Sequence, residues 1–227
     1  MVVIDPRLAP DIPPHALGPL AAQCYGQIVE ARTVEEVRQR AAAVQLAHPA
    51  AGRMVLAIVA QAAPVWDRAL MQDLLDRFVA LAMAIAANPA FPATLAPALA
   101  AYLLTQTAQV DDWPVTAWRT LVARGYVGPR DPAMEDAFRR ATHDTDRMAA
   151  QMWLAHPDAP ATGFAALVHT LGHDLQVLAP LLAHPQVPPA LQDLYQLRRK
   201  APAFRHGDIR RRREAPILVR RGRNPVD

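Results

Sequence analysis

Leu46-Ala47-His48-Pro49 decides how this chain is read, because the same four residues return at Leu154-Ala155-His156-Pro157 and at Leu182-Ala183-His184-Pro185. A near-copy, Ala86-Ala87-Asn88-Pro89, lies between the first and second. Three of the four are followed by a second proline three residues on, at Pro92, Pro160 and Pro188, while Gly52 takes that place in the first. A residue that precedes proline is pushed out of the α region, so a helix ends at each His or Asn. The second proline suits the first turn of a new helix, where its missing N–H costs nothing. Each phrase is thus one helix stopping and the next starting.

Composition agrees with a helical chain. Of 227 residues, 52% are hydrophobic and only 6% aromatic, with alanine prominent and β-branched runs scarce. The 22 prolines fall between helical patterns as punctuation. Between them, helical patterns are expected over 15–31, 34–48, 51–62, 64–88, 92–108, 113–125, 132–155, 161–183 and 188–200. Thr33 with Glu36 forms a capping box, and Asp131 before Pro132 has the form of an N-cap followed by a first-turn proline. Asp111-Asp112 before Trp113-Pro114 marks another start. Gly172 kinks or splits the 161–183 segment. The expected architecture is all-α. It has an extended arm over 1–14, a single domain of stacked helical hairpins over 15–199, and a basic tail over 200–227. The body is either an irregular solenoid or a compact helical bundle.

Pro92-Ala93-Thr94 leads to Ala98, Leu99 and Leu103, and Pro160-Ala161-Thr162 leads to Ala166, Leu167 and Leu171 at the same offsets. This matches a repeated helical unit, and the Asn-Pro-x-x-Pro turn resembles those of leucine-rich-variant and HEAT-like repeats. That resemblance implies stacked helix pairs that bind partners along their surface.

Residues absent from the chain exclude whole chemistries. It has no serine, one lysine (Lys200) and one cysteine (Cys24). A serine nucleophile, a phosphate-cradling P-loop and a Gly-x-Gly-x-x-Gly dinucleotide turn are all excluded. Lys200 lies in an arginine-rich stretch, where a buried Schiff-base amine is not expected. A disulfide within one chain is impossible, which fits a reducing compartment and a cytoplasmic location. Cys24 shares a helix face with Leu17, Leu20 and Ile28 and is expected to pack as a small hydrophobe. No signal peptide is legible at the N-terminus. The stretch from Phe78 to Val110 has no charged residue, but Pro89, Pro92 and Pro97 cut it into pieces too short for a transmembrane segment.

Charge is distributed unevenly. Lys200, Arg205, Arg210, Arg211, Arg212, Arg213, Arg220, Arg221 and Arg223 face only three acids after position 199. The tail therefore carries +6 and residues 1–199 carry −3, out of +3 overall. Terminal basic blocks serve as interaction arms, and guanidinium forks hold carboxylates or phosphates bidentately. Ile217-Leu218-Val219, between two arginine clusters, is a β-like run able to add to a partner's sheet edge. Its counterpart is Val2-Val3-Ile4. With only Phe204 nearby, base stacking on single strands is not expected.

Two other patterns carry chemistry. His169 and His173 lie four apart on one helix face, with Asp174 adjacent and His143 one segment earlier. That arrangement resembles HD-type metal phosphohydrolases, which implies a metal-dependent hydrolase. Arg213, Arg221 and Arg223 resemble the arginine-rich C-terminal export signals of type IV secretion substrates, which implies a secreted effector. The recurring His48, His156 and His184 are expected to bond the carbonyls at helix ends. The reading that best fits the whole chain is non-catalytic and free of cofactors. It is a scaffold or adaptor whose tail docks on an acidic protein partner or on nucleic acid. The sequence leaves the oligomeric state open.

Overall fold

The structure, a computed structural model, describes residues 14–107 and 111–193. Every regular element among them is helical. Eleven α-helices are α1 (Pro14–Val29), α2 (Val34–Ala47), α3 (Gly52–Ala62), α4 (Arg68–Arg77), α5 (Leu81–Ala87), α6 (Ala96–Thr105), α7 (Trp113–Ala123), α8 (Pro132–His143), α9 (Arg147–Leu154), α10 (Gly163–Leu171) and α11 (Leu175–Ala183). The first packed unit reaches Val187, and of the second, beginning at Pro188, only residues 188–193 are described. Residues 1–13 of the expected arm and the basic tail lie outside the described residues, while Pro14 begins α1.

Three long segments expected as single helices are each two. The 64–88 segment breaks between Arg77 and Leu81, and its first four residues precede α4. Asp67 is the N-cap of α4 and accepts the Leu70 N–H. The 132–155 segment breaks at Asp144–Asp146, where Thr145 adopts a left-handed φ of 54°. Asp146 then caps α9 by accepting the Met148 and Ala149 N–H groups. The 161–183 segment splits at Gly172, and Asp174 caps α11 through the Gln176 N–H. In the last two, a short acid accepts unpaired first-turn N–H groups and makes a new start favourable inside a continuous apolar pattern, whereas α5 starts after Ala80 with no side-chain cap.

Local signals elsewhere hold with small changes. Thr33 accepts the Glu36 N–H, while the Glu36 carboxylate takes the N–H of Arg32. Asp131 precedes α8 but makes no side-chain cap, because its carboxylate turns back to accept the Gly128 N–H.

The helices form two rows. In the first, α1, α3, α5, α7, α9 and α11 pack one on the next. In the second, α6, α8 and α10 do the same, and each rests on a first-row helix that adjoins it in sequence. Helix α2 packs on α1 and α3, and α4 on α5. Contacts between nearest neighbours are the pattern of stacked helical hairpins. First-row helices begin at 14, 52, 81, 113, 147 and 175, so the array is irregular.

The inner first-row helices α3, α5, α7 and α9 are buried on two sides, which explains their alanine-rich, nearly charge-free sequences. Ala57, Ile58, Ala82, Ile85, Ala117, Trp118, Ala149 and Met152 are almost wholly buried. Small residues let helices of this row approach closely while Trp118 and Ile58 fill the space between. At one end of the array, Phe138, Trp153, Phe164 and His184 form a chain of ring contacts at 4.9–5.3 Å. Gly163 lies against two of these rings. A Cβ there would sit 2.7 Å from Trp153 and 2.9 Å from Phe138, so no larger residue fits without displacing them.

Cys24 faces inward with Leu17 and Ile28, as its spacing indicates, while Leu20 is only half-buried. Burial pushes its thiol up to about 11. The native thiol therefore stays protonated, and the stability from burying it neutral is complete below about pH 9 and lost as pH rises toward 11. A disulfide reagent at pH 8 is expected to react with Cys24 only as fast as the protein opens, and at once in denaturant. Fast reaction of the folded protein would show that the packing of α1 on α2 and α3 does not cover the thiol.

No helix among the described residues is long and apolar enough to cross a membrane.

Candidate functional site

The turns that end first-row helices hold most of the buried polar chemistry. Asn88 is almost fully buried, and its amide donates to the carbonyls of Ala60 and Ala63, at the end of α3. Its side-chain oxygen accepts the Ala90 N–H. His184 repeats this arrangement. Its Nδ1 accepts the Gln186 N–H, and its Nε2 is 2.8 Å from the carbonyl oxygen of His156, so Nε2 carries the proton and donates. His156 is buried as well and accepts the Asp158 N–H at Nδ1. Asn88 and His184 thus fold their own turns and also bond the turn one step earlier in the row, whereas the His156 ring folds only its own. His48 is exposed and stands outside this scheme. The expectation that these histidines bond the last carbonyls of their own helices is not met at His184. The carbonyl it bonds is that of His156, in the previous turn.

Arg124 does the same work from the opposite side of the Asn88 turn. Helix α7 ends in a Schellman motif, with Gly125 at φ +69° and the Tyr126 N–H bonded to the Leu121 carbonyl. That motif aims the Arg124 guanidinium at the carbonyls of Ala86, Asn88, Pro89 and Phe91 and at Tyr126 Oη. The guanidinium also lies 4.4 Å over the Tyr126 ring. Arg40 donates to Gln27 O at the end of α1, and Arg140 to Leu104 O at the end of α6. These arginines meet the negative ends of helices, so their charge is spent inside the fold.

The sequence-predicted metal residues do not converge. His143, His169 and His173 are exposed at or just beyond helix C-termini. Asp174 caps α11 and pairs with Arg147 at 3.9 Å. Among the described residues, no three His, Cys, Asp or Glu side chains group to hold a metal ion. The four-residue spacing of His169 and His173 does not survive, because the helix ends at Leu171 and the chain turns at Gly172. The tail residues Arg205, Arg210 to Arg213, Ile217 to Val219, Arg220, Arg221 and Arg223 lie outside the described residues.

Two of the surface grooves have volumes of about 440 Å³, one between α6 and α8 of the second row and one between α2 and α4. The one between α6 and α8 is lined by alanine, proline and leucine. Its polar groups are already engaged. Asp131 holds Gly128 N–H, Tyr126 Oη donates to Phe91 O, and Asp136 is bound by Arg139 and Arg140. Desolvation acts to raise the Asp136 carboxyl, but those two arginines outweigh it and hold the group below the usual carboxylate range.

The second groove lies where α2 and α4 barely meet. Leu56 and Val59 of α3 form its floor, with Val37 and Ala41 on one wall and Leu70 and Leu74 on the other. Arg38 and Gln45 stand on the α2 rim, Asp73 and Arg77 on the α4 rim. Arg77 is bonded to Asp73 at 3.0 Å. Arg38 reaches only Asp67, at 3.8 Å, and that carboxylate already accepts the Leu70 N–H. Among the described residues the Arg38 guanidinium makes no hydrogen bond, and its side chain is 38% exposed. The spacing in α2 shows a surface arginine but not this groove, because Asp67 and α4 arrive from 29 or more residues away.

No protein-family model, curated protein or solved structure matches the chain.

Proposed function

We propose that this protein is a non-catalytic helical scaffold or adaptor whose basic C-terminal tail docks on an acidic surface of a protein partner. The observation that carries this reading is the partition of charge, +6 after position 199 against −3 before it. Two features of the fold support it. The body is a stacked array of helical hairpins, an architecture suited to presenting long surfaces. Arg40, Arg124 and Arg140 of the body are committed to helix ends, so they are not available as a basic patch.

The test is a pull-down from the native host with the full chain and with a variant carrying Gln at 210, 211, 212 and 213, with and without nuclease. A protein partner that survives nuclease and is reduced about ten-fold or more by the variant is the expected result. Enrichment abolished by nuclease would make this a nucleic-acid-associated protein, whose binding weakens steeply with salt. Capture unchanged by the variant would overturn the role of the tail.

A further inference from the structure

We infer that the turn after α2 docks on the turn after α11 of a second copy of this chain, remaking between molecules the contact that His184 makes with His156 within one. The inference is independent of the tail. Leu46-Ala47-His48-Pro49 is the same phrase as Leu154 to Pro157 and Leu182 to Pro185, in different surroundings. Leu154 is buried and Leu182 half-buried, whereas Leu46 is 85% exposed, more than any other large apolar side chain among the described residues. Ala42, Ala43, Ala47, His48, Pro49 and Ala50 are exposed around it, with no acid or arginine among them. The His48 ring makes no capping hydrogen bond. This copy of the phrase is uncovered because α2 lies beside the row and not in it.

The matching surface is the open end of the row. Helix α11 is the last first-row helix among the described residues, and it contains no charged residue. Leu175, Gln176, Ala179 and Ala183 face solvent. The carbonyl of His156 accepts both the Ala159 N–H and His184 Nε2. That of His184 accepts the Val187 N–H and, among the described residues, no ring. A His48 ring placed there supplies the second donor, with Leu46 and Ala43 against Ala179 and Ala183. His48 stands at φ −136°, ψ 75°, and His184 at φ −69°, ψ 136°. The docked turn therefore has to rotate, bringing ψ into the range of about 120–160° that a residue before proline favours. A charged partner segment fits poorly, because neither surface offers its charges a counter-ion. Two different surfaces meet, so the pairing is head-to-tail and can pass from copy to copy.

The experiment is sedimentation velocity of the full-length protein across a wide range of concentrations. The average mass of the wild type is expected to rise with concentration. Leu46→Arg and Ala179→Arg, both at exposed positions, are each expected to abolish the rise. An equimolar mixture of these two variants is expected to form a dimer and nothing larger, because each retains the surface the other lacks. His48→Ala is expected to weaken association about five-fold, for the loss of one hydrogen bond. Thermal unfolding of every variant near the wild-type midpoint shows that the fold is kept. The four-glutamine tail variant is expected to associate as the wild type does, so a failure of the tail reading leaves this result standing. A wild type that stays monomeric at every concentration would overturn the proposal and leave Leu46 to a different protein. Self-association of Ala179→Arg alone would also overturn it, by showing a symmetric contact through Leu46, as would a mixture that stays monomeric. Association lost only in the tail variant would assign it to the tail.

Discussion

Replacing Arg124 with methionine is expected to lower the free energy of unfolding by about 3 kcal/mol, read from urea titration of the helical signal. One guanidinium serves four backbone carbonyls and the Tyr126 hydroxyl. Methionine keeps much of the stem's packing and removes every donor at once. Some of these carbonyls reach water when the guanidinium is gone, so the loss falls well below the sum of five charged hydrogen bonds. Arg124→Lys is expected to recover only part of it, because an ammonium cannot span carbonyls from Ala86 to Phe91 as a planar fork does. A loss below about 0.5 kcal/mol for the methionine variant would mean that these bonds merely replace equivalent bonds to water.

Asn88→Ala is expected to cost about 2–3 kcal/mol in the same titration, since it strips two donors and one acceptor from a site only 2% exposed. Asn88→Asp provides the sharper test. The aspartate keeps the oxygen that accepts Ala90 N–H but turns a second oxygen toward the carbonyls of Ala60 and Ala63. A buried carboxylate facing two acceptors is worse than an absent side chain, so the expected order of stability is Asn, then Ala, then Asp. Both positions organise one turn, so Arg124→Met combined with Asn88→Ala is expected to cost less than the two separate losses added together. Strict additivity would show that the turn is held by its prolines and not by these side chains.

The sequence disclosed the helices and their ends because those rest on local rules. A proline fixes the residue before it, and a Thr or Asp accepts N–H groups two or three residues away. The splits at Asp144–Asp146 and Gly172–Asp174 carried local signals too, in Asp146 and Asp174, but the apolar pattern continued through them and suggested one helix. The two-row packing was legible only as a repeated phrase. Arg124 could not be found from sequence, since its partners lie up to 38 residues away, and the groove is built from three helices. The His169 and His173 pairing misled because helical spacing implies a shared face only while the helix lasts. Here it ends between them.

The turns of the first row have a consequence for how this chain can change over generations. Asn88 addresses only the carbonyls ending α3, and His184 only the carbonyl of His156. From the preceding step of the row, each side chain needs only a free carbonyl. A duplicated hairpin inserted into the row would present that same carbonyl, and an excised one would expose the next. The same kind of join serves the α3–α5 and α9–α11 steps, so at those seams the length of the row is something recombination can alter while the contact stays chemically familiar.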